Sequence, residues 1–402
     1  MQKKIHDYIK RITYKRLSNV DCDSNSSNQH EIGGGQLKTI YGNVDKKNFK
    51  NKIIYLCDKE EDNCSEYVKL SFYDVRVKNK NRSSEFRLVY QKNIPMKMAQ
   101  MGDLIFFIKA IHNKKEIDFI VIIKKDSTTE EQIKWLFGLE NSLFSNKFDT
   151  KSTLEKEINF LSAKIFNYLQ IEIDRSNSNY LDGLLENFGQ EFPSTKVFTE
   201  YAISLVPNAE PLDDADDALI KYHDMEEILF KTLEKHLVEK KINEGTIDSA
   251  DELIEFALSI LNRRKSRAGH SFENILIYIF QKHKLSFSNN GITENNNKPD
   301  FIFPGVEQYH DSGFDKKKLV MLAAKTSLRD RWRQIIPEAN NIHIKHLITL
   351  EPSISKNQTN QIFAKDIILV IPKEIQSTFN KSQNNKIIDL NFFINYTKSL
   401  TS

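Results

Sequence analysis

The stretch that decides the fold of the second half of the chain is Lys298-Pro299-Asp300-Phe301-Ile302-Phe303. Aromatic and β-branched residues favour strands, so Asp300 is expected at the head of a short strand. A second apolar run, residues 319–324, ends at Lys325. We expect the two runs to be neighbouring strands that bring a carboxylate and an ammonium group to one edge of a small sheet.

This pair has a plain structural explanation and a chemical one. Pro-Asp pairs are common in turns, which would account for Asp300 alone. Lys325 ends an apolar strand, where desolvation of lysine costs free energy unless it meets a carboxylate or a phosphate. Phosphodiester hydrolysis uses such a pair, because carboxylate oxygens hold Mg²⁺ while lysine positions or activates the attacking water.

A metal held by one carboxylate would be weakly bound, so a second acid is needed. Many nucleases of this chemistry have it two residues before the lysine, but Ala323 stands there. Glu338, on a helix predicted over residues 330–342, is our first choice, and Glu273 on the preceding helix is an accessory. Each Glu by itself could be an exposed helical charge. Pro337 interrupts helical hydrogen bonding and predicts a kink or restart just before Glu338.

One basic run lies within this region, between Lys325 and Glu338, and another precedes it in the chain. Arginine matches guanine O6 and N7, and a carboxylate accepts from cytosine N4, so Arg329-Asp330-Arg331 at a helix start is suited to G·C pairs. The alternative is a solvated first helical turn, although arginines there oppose the helix dipole. The other run supplies candidate phosphate contacts rather than base readers, namely Arg263, Arg264, Lys265 and Arg267.

The composition is that of an ordinary soluble protein with room for two domains: 402 residues, 39% hydrophobic and 28% charged. Residues 1–126 carry 25 Lys and Arg against 16 Asp and Glu, and the remainder is acidic. A basic N-terminal region indicates either a nucleic-acid partner or a solubilising charge excess.

Three cysteines without CxxC spacing favour neither a disulfide framework nor a zinc site, and with no apparent export signal we predict a cytoplasmic protein.

Local patterns predict the domain organisation. Short apolar runs between residues 53 and 123 indicate a small all-β barrel or sandwich. Residues 176–195, rich in Asp, Ser, Asn, Gly and Pro, are predicted to be a linker between domains 1–175 and 196–402. In the second domain we predict helices over 216–238, 249–262 and 271–282, followed by alternating strands and helices typical of an α/β sandwich.

The ordered motifs together resemble the EcoRII-type restriction endonucleases. The resemblance is carried by residues 262–269 (Asn-Arg-Arg-Lys-Ser-Arg-Ala-Gly), 292–295, 298–301, 324–326 and 330–334. It implies a C-terminal PD-(D/E)XK nuclease fold in which the second acid has moved to the helix after the lysine. Asp300 and Glu338 would then bind Mg²⁺, Lys325 would position or activate the attacking water, and Glu273 would assist. The residues that would read a CC/GG half-site are Arg329, Asp330 and Arg331.

The same resemblance, fainter in the N-terminal part, implies an effector domain there. Residues 16–18 and 28–30 are similar to the start of the family's DNA-binding pseudobarrel, which binds a second copy of the target and covers the catalytic cleft until it does. The residues implied to contact effector DNA are Lys80, Arg82, Glu85 and Arg87; alternating charge on an exposed strand is the alternative. In the central-base region Tyr222 and Glu227 replace the family's arginine and aromatic residue, which leaves the central base pair open.

The sequence therefore predicts a Mg²⁺-dependent type II site-specific deoxyribonuclease that cleaves double-stranded DNA at a CCNGG- or CCWGG-like palindrome. The resemblance also implies a homodimer, regulation by effector DNA, and a cognate DNA methyltransferase that protects host sites. An inactive sequence-specific DNA-binding regulator is the alternative that Ala323 supports. A repair or branch-specific nuclease would share the metal site without needing the Arg-Asp-Arg reader.

Overall fold

The computed structural model describes residues 3–22, 30–78, 81–112, 115–142, 144–145, 147–152, 154–245, 249–329 and 331–401. The chain divides into two compact units. One consists of residues 1–173 with 353–359, and the other of residues 174–352 with 360–402. Lys80, Asp330 and residues 28–29, to which predictions were attached, lie outside the described residues.

The first unit is built on a sheet of eight described strands in the order β2-β5-β4-β3-β7-β6-β1-β8. The pairing of β3 with β7 is parallel and the other pairings are antiparallel. The strands are β1 (Ile9–Arg16), β2 (Glu31–Gly33), β3 (Lys46–Leu56), β4 (Cys64–Asp74), β5 (Phe86–Tyr90), β6 (Leu104–His112), β7 (Lys115–Ile123) and β8 (Asp149–Lys151). The helices are α1 (Asn19–Cys22), α2 (Lys38–Tyr41), α3 (Ile94–Met98), α4 (Thr128–Leu136) and α5 (Phe160–Tyr168).

Both faces of this sheet are covered by hydrophobic side chains. Successive residues of a strand point to opposite faces, so Phe106 and Ile108 of β6 enter one core and Ile105 and Phe107 enter another. A strand buried on both faces has a continuous apolar sequence, as β6 does. The short apolar runs predicted to be strands are found in β3 to β7, which confirms a strand-rich N-terminal region.

The second unit combines long helices with a mixed sheet of six described strands in the order β14-β13-β12-β11-β10-β9. Strands β11 to β14 run parallel, whereas β9, β10 and β11 pair antiparallel. The strands are β9 (Ser288–Asn289), β10 (Phe301–Phe303), β11 (Val320–Ala324), β12 (Lys345–Ile348), β13 (Ile367–Val370) and β14 (Ile387–Ile388). The helices are α6 (Leu181–Phe188), α7 (Thr195–Ser204), α8 (Ala215–Asn243), α9 (Ala250–Lys282), α10 (Val306–His310), α11 (Lys356–Phe363), α12 (Lys373–Gln376) and α13 (Leu390–Thr401).

The C-terminal half of α9 packs against this sheet and brings its polar residues to the sheet edge. The ring of Phe280 lies 5.2 Å from that of Phe301 and 5.3 Å from that of Phe303, measured between centroids. Glu273 lies two turns earlier on the same helix, which directs it toward the end of the sheet where β10 begins. In the described part of the chain, no helix has both the length and the apolar character needed to cross a membrane.

Three local expectations differ from the structure. The predicted helices 249–262 and 271–282 are one continuous helix, α9, because the basic residues between them find acidic partners on α8. The helix predicted over 330–342 is instead a short 3-10 helix, Arg331–Ile335. The segment 176–195, predicted to be a linker, contains α6, whose Leu184 is fully buried against α7 and α8. The polar composition of this segment favoured a linker in the sequence analysis, but a short helix needs only a few apolar side chains to pack against its neighbours.

Candidate active site

Asp300 and Lys325 meet at the edge of the second sheet. Asp300 directly precedes β10 and Lys325 directly follows β11, and the antiparallel register that pairs Phe301 with Leu322 sets the two ends side by side. Lys325 Nζ donates to Asp300 Oδ2 at 2.7 Å, and the backbone N–H of Ala324 donates to the same oxygen at 2.7 Å. Asp300 is only 8% exposed, so two donors hold a buried carboxylate in one orientation.

Glu338 lies beside this pair and is held in an unfavourable environment for a charge. Burial raises its pKa from an ordinary 4.5 to about 7, with the positive charge of Lys325 opposing the rise and the negative charge of Asp300 adding to it. Its Oε2 atom is buried and has no hydrogen-bond partner within the described structure. A buried carboxylate oxygen without a donor is costly, and it is the kind of group that a bound cation would satisfy.

The backbone around Glu338 explains how the acid reaches this position without an α-helix. Pro337 cannot donate a hydrogen bond, and Ala339 adopts a left-handed φ of 48°, so the 3-10 helix ends and the chain turns. The predicted interruption at Pro337 is therefore confirmed, although the predicted α-helix is not. The buried Lys345 Nζ donates to the carbonyls of Ile335 and Ile336 and anchors the end of the 3-10 helix.

Glu273 on α9 is a third carboxylate at the same place. Burial raises its pKa, and the negative charge of Asp300 raises it further. Asn290 Nδ2 donates to Glu273 Oε2 at 3.4 Å, and the backbone N–H of Asn290 donates to the carbonyl of Asp300. Asn290 thus ties the accessory acid to the strand end, a contact that the sequence analysis missed and that no local pattern around Asn290 signals.

The candidate ligands suit Mg²⁺, which needs few protein ligands, better than a metal ion whose ligands all come from the protein. No cluster of three or more His, Cys, Asp or Glu side chains arranged to hold a metal ion is found among the described residues. Mg²⁺ commonly takes one or two carboxylates and completes its shell with waters and substrate phosphate oxygens. Asp300 and Glu338 offer oxygen ligands of that type, and the unpartnered Oε2 of Glu338 is the observation that supports the fit.

The predicted base-reading run is only partly presented at the surface. Arg329 is 7% exposed and has a left-handed φ of 29°, a conformation that a non-glycine residue adopts at a cost. Arg331 is exposed at the first position of the 3-10 helix. The preceding turn is anchored by Glu351, which is buried and accepts from the backbone N–H of Leu328 at 3.2 Å. Arg329 thus follows a tethered turn, and Arg331 begins a 3-10 helix rather than an α-helix.

The predicted phosphate contacts, in the middle of α9, fall into two groups. Arg263 and Lys265 are exposed. Arg264 is half-buried, and its Nε donates to Glu234 Oε1 at 2.8 Å. Arg267 is 8% exposed and enclosed, which contradicts its predicted contact with a phosphate.

Arg267 is enclosed by two carboxylates of α8. It donates to Glu226 Oε2 and, at 2.5 Å, to Glu227 Oε2, and its guanidinium lies 4.0 Å from the ring centroid of Phe230. Burial raises the pKa of Glu226 to about 7, while Arg267 outweighs the burial of Glu227 and lowers its pKa to about 2. The sequence analysis missed Glu226, although a charged residue in line with the apolar Tyr222, Leu229 and Leu233 signals a buried partner.

Tyr222 and Glu227, which replace the family's residues at the positions implied to contact the central base pair, both have partners within the second unit. Tyr222 is 2% exposed and its hydroxyl donates to the carbonyl of Ala209. Glu227 forms an ion pair with Arg267. Tyr222 is therefore enclosed, whereas Glu227 remains about one quarter exposed beside Arg267.

Two of the residues predicted to contact effector DNA, Glu85 and Arg87, form ion pairs in the first unit. Arg87 donates to Glu31 at 2.5 Å and to Glu85 at 2.8 Å, and Arg76 also pairs with Glu85. Arg82 is exposed in the segment before β5. This charge pattern agrees both with a polar strand surface and with a site whose ion pairs exchange for phosphate contacts.

Comparisons with known proteins cover the region that holds this geometry. Residues 230–394 match the family model described as EcoRII C terminal. The chain is 37% identical over 235 residues to the type II restriction enzyme EcoRII of Escherichia coli, a match covering 58% of this chain and 57% of that protein. It is 25% identical over 273 residues to the type II restriction enzyme SsoII of Shigella sonnei, covering 61% and 80%.

Two solved structures are also similar. They are metal-depleted Ecl18kI in complex with uncleaved, modified DNA (21% identity, TM-score 0.44, 55% of this chain and 83% of that chain) and metal-depleted Ecl18kI in complex with uncleaved DNA (19%, 0.44, 56% and 84%).

Proposed function

We propose that the protein is a Mg²⁺-dependent type II restriction endonuclease of the EcoRII type, a proposal supported by the match of residues 230–394 to the EcoRII C-terminal family model and by the 37% identity to EcoRII over 235 residues. Its substrate is double-stranded DNA carrying a short palindrome with CC/GG half-sites, of the CCNGG or CCWGG kind. The domain from residue 196 onward carries out cleavage on a PD-(D/E)XK fold. The observation that carries the proposal is the 2.7 Å contact between Lys325 Nζ and Asp300 Oδ2, beside the unpartnered Glu338.

The roles of these residues follow from their positions. Asp300 and Glu338 would hold Mg²⁺, whose chemistry there is to neutralise the scissile phosphate and to lower the pKa of a bound water. Lys325 already donates to the carboxylate beside the reacting phosphate, so its remaining N–H groups are placed to donate to the attacking water or to a phosphate oxygen. Glu273, whose pKa is raised by burial, can accept a proton at the rim of the same site.

Sequence reading is proposed for the tethered turn that follows Lys325. Arg331 is exposed there and can donate to a guanine edge, while Arg329 and Asp330 would join it when the turn meets the major groove. Because this turn is four to six residues from Lys325, base contacts and the metal site would be positioned together. Arg263 and Lys265 are the exposed candidates for contacts to phosphate.

The remaining parts of the proposal concern partners. A palindrome presents two equivalent half-sites, so two copies of the chain would engage one target. The N-terminal domain, residues 1–175, is proposed to be a pseudobarrel that binds a second copy of the target through Lys80, Arg82, Glu85 and Arg87 and thereby regulates cleavage. A methyltransferase with the same specificity would protect the host's own sites.

The test is a cleavage assay on plasmid DNA with Mg²⁺, followed by sequencing of the ends. We expect ends at one palindromic sequence, and faster cleavage of a plasmid with several sites than of one with a single site. Lys325→Ala should reduce the cleavage rate by roughly a hundredfold to a thousandfold. Lys317→Ala, which alters an exposed lysine of the same unit, is the matched control and should leave the rate unchanged.

Each other outcome has a defined meaning. Specific binding of the palindrome without cleavage would support the inactive regulator, which Ala323 at the usual position of an acid favours. Cuts at many sequences or at branched DNA would support a repair nuclease. Full activity in Lys325→Ala would remove Lys325 from the site.

A further inference from the structure

Residues 293–297 form a compact loop just before strand β10. The N–H of Asn297 donates to the carbonyl of Glu294 at 3.1 Å and closes the loop. Asn295 and Asn296, between them, have left-handed φ values of 57° and 58°, a conformation that asparagine adopts more readily than most residues. The start of this loop carries part of the family resemblance, although none of its residues is among the proposed metal ligands.

The side chain of Glu294 binds the backbone that follows Glu338. Its Oε2 atom accepts from the N–H of Asn340 at 3.3 Å and from the hydroxyl of Tyr309 at 2.7 Å. The Tyr309 hydroxyl in turn accepts from the N–H of Asn341 at 3.2 Å. Burial acts to raise the pKa of Glu294, but the Tyr309 hydroxyl and backbone N–H groups outweigh it and lower the pKa. Glu294 is therefore held as a carboxylate, the form that accepts these bonds.

Asn297 binds the backbone that precedes Glu338. Its Nδ2 atom donates to the carbonyl of Pro337 at 3.0 Å. Together with the bonds of Glu294, this contact fastens the turn of residues 336–341 on both sides of the acid. The turn is not part of a helix, so side-chain partners from other segments take the place of regular helical hydrogen bonds in fixing its backbone.

One stretch of chain thus contains one proposed metal ligand and holds the other. Asn297 is three residues before Asp300, whose carboxylate is fixed by the N–H of Ala324. A metal site requires its ligand distances to be kept within about 0.2 Å. Groups that orient metal ligands without touching the metal commonly change metal affinity by roughly tenfold to a hundredfold. Movement of the loop away from the turn would displace Glu338 relative to Asp300.

We propose that Glu294 and Asn297 are positioning residues, which fasten the turn of Glu338 to the loop before β10 and thereby set the separation of Asp300 and Glu338 that a divalent cation needs. The inference rests on the proposed function, because it takes these two carboxylates as the ligands of Mg²⁺. Glu294 and Asn297 act through the backbone on the two sides of Glu338 and contact neither the cation nor the DNA.

The first test measures binding of Mn²⁺, which takes the same oxygen ligands as Mg²⁺, to the full chain by isothermal titration calorimetry without DNA. Glu294→Ala and Asn297→Ala should each raise the dissociation constant by roughly tenfold to a hundredfold. Glu294→Gln keeps one acceptor oxygen, so its dissociation constant should lie between those of the wild type and Glu294→Ala.

Asn380→Ala is the matched control, because it removes a side-chain bond to the N–H of Ser382 in another turn of the same unit. It should bind Mn²⁺ as the wild type does. Urea unfolding of every variant ensures that folded proteins are compared. A purely structural role for Glu294 and Asn297 would lower the urea midpoint and leave the dissociation constant for Mn²⁺ unchanged.

The second test measures cleavage of target DNA as a function of Mg²⁺ concentration. In Glu294→Ala and Asn297→Ala, the concentration of Mg²⁺ that gives half of the maximal rate should rise, and saturating Mg²⁺ should recover much of the rate. This split between metal affinity and maximal rate separates positioning of a ligand from loss of a group that takes part in the chemistry.

Three results would overturn the proposal. They are an unchanged dissociation constant for Mn²⁺ in both alanine variants, an equal rise in Asn380→Ala, and a wild type that binds Mn²⁺ no more tightly than Glu338→Gln. Failure of the proposed function gives a different pattern: the wild type would bind Mn²⁺ but cleave no DNA, and the calorimetric comparison of Glu294 and Asn297 would still decide their role.

Discussion

Two clusters in the second unit each place one cation beside two buried or half-buried carboxylates, and they differ in how these groups are paired. In the first, Lys325 contacts Asp300 and Glu338 lies alongside; in the second, Arg267 pairs with Glu226 and Glu227. In each cluster burial raises the pKa of one carboxyl to about 7. The two clusters therefore differ in geometry and in the kind of cation, not in the raised pKa of one carboxyl.

Enclosure and pairing separate the two clusters. Glu226 is fully buried, Arg267 nearly so, and the planar guanidinium reaches both carboxylates from one side chain. Each cluster keeps one buried carboxylate oxygen without a donor, Glu226 Oε1 and Glu338 Oε2. Lys325 and Glu338 are half-buried, and Lys325 pairs with Asp300, whereas Arg267 pairs with both of its carboxylates. In the Arg267 cluster both carboxylates are thus paired with one cation, whereas in the Lys325 cluster Glu338 has no ion pair in the described structure.

The largest expected difference between the clusters is in activity. Asp300→Asn removes a ligand charge at the Lys325 cluster and should lower the single-turnover cleavage rate by roughly a thousandfold. Stability should change little, because the amide oxygen can still accept from the N–H of Ala324. The measurement is cleavage in saturating Mg²⁺ together with urea denaturation. A variant with wild-type rate would show that the Lys325 cluster is not the site.

The next effect is on stability and belongs to the Arg267 cluster. Arg267→Met removes the cation that pairs with the buried Glu226 and with Glu227, and should cost about 3–5 kcal/mol of unfolding free energy at pH 8. Lys265→Met, two residues away and exposed, is the control and should change stability by about 0.5 kcal/mol or less. Urea unfolding of the two variants decides the matter. Equal stabilities would mean that the buried network contributes nothing.

The smallest effect concerns Glu338 and depends on pH. The folded-state pKa of about 7 lies above the ordinary 4.5, so wild-type stability falls as pH rises between these values. Glu338→Gln lacks this loss and should be more stable by up to roughly 3 kcal/mol at pH 8, with no difference below pH 4.5. The variant should also cleave poorly. Urea midpoints at pH 4, 6 and 8 test this, and a pH-independent difference would contradict it.

Residue patterns predicted which side chains of the candidate site the strands would bring together. Asp300 and Lys325 each adjoin an apolar run, and strand ends are readable because strands are short and their burial is continuous. Pro337 marked the end of regular structure before Glu338, since proline lacks the N–H that a helix needs. What failed was the helix assigned to residues 330–342, because local helix-forming residues do not reveal a turn held by Glu351 and Lys345.

By itself, the sequence determined the two apolar strands, the carboxylate and lysine at their ends, and the resemblance to the EcoRII-type endonucleases, because these depend on neighbours along the chain. Only the tertiary structure decided that Arg267 is enclosed by Glu226 and Glu227, about forty residues earlier in the chain. It likewise decided that α9 is continuous and that Glu338 Oε2 lacks a donor. Pairing between distant charges and the burial of a carboxylate depend on packing between elements, which residue spacing does not encode.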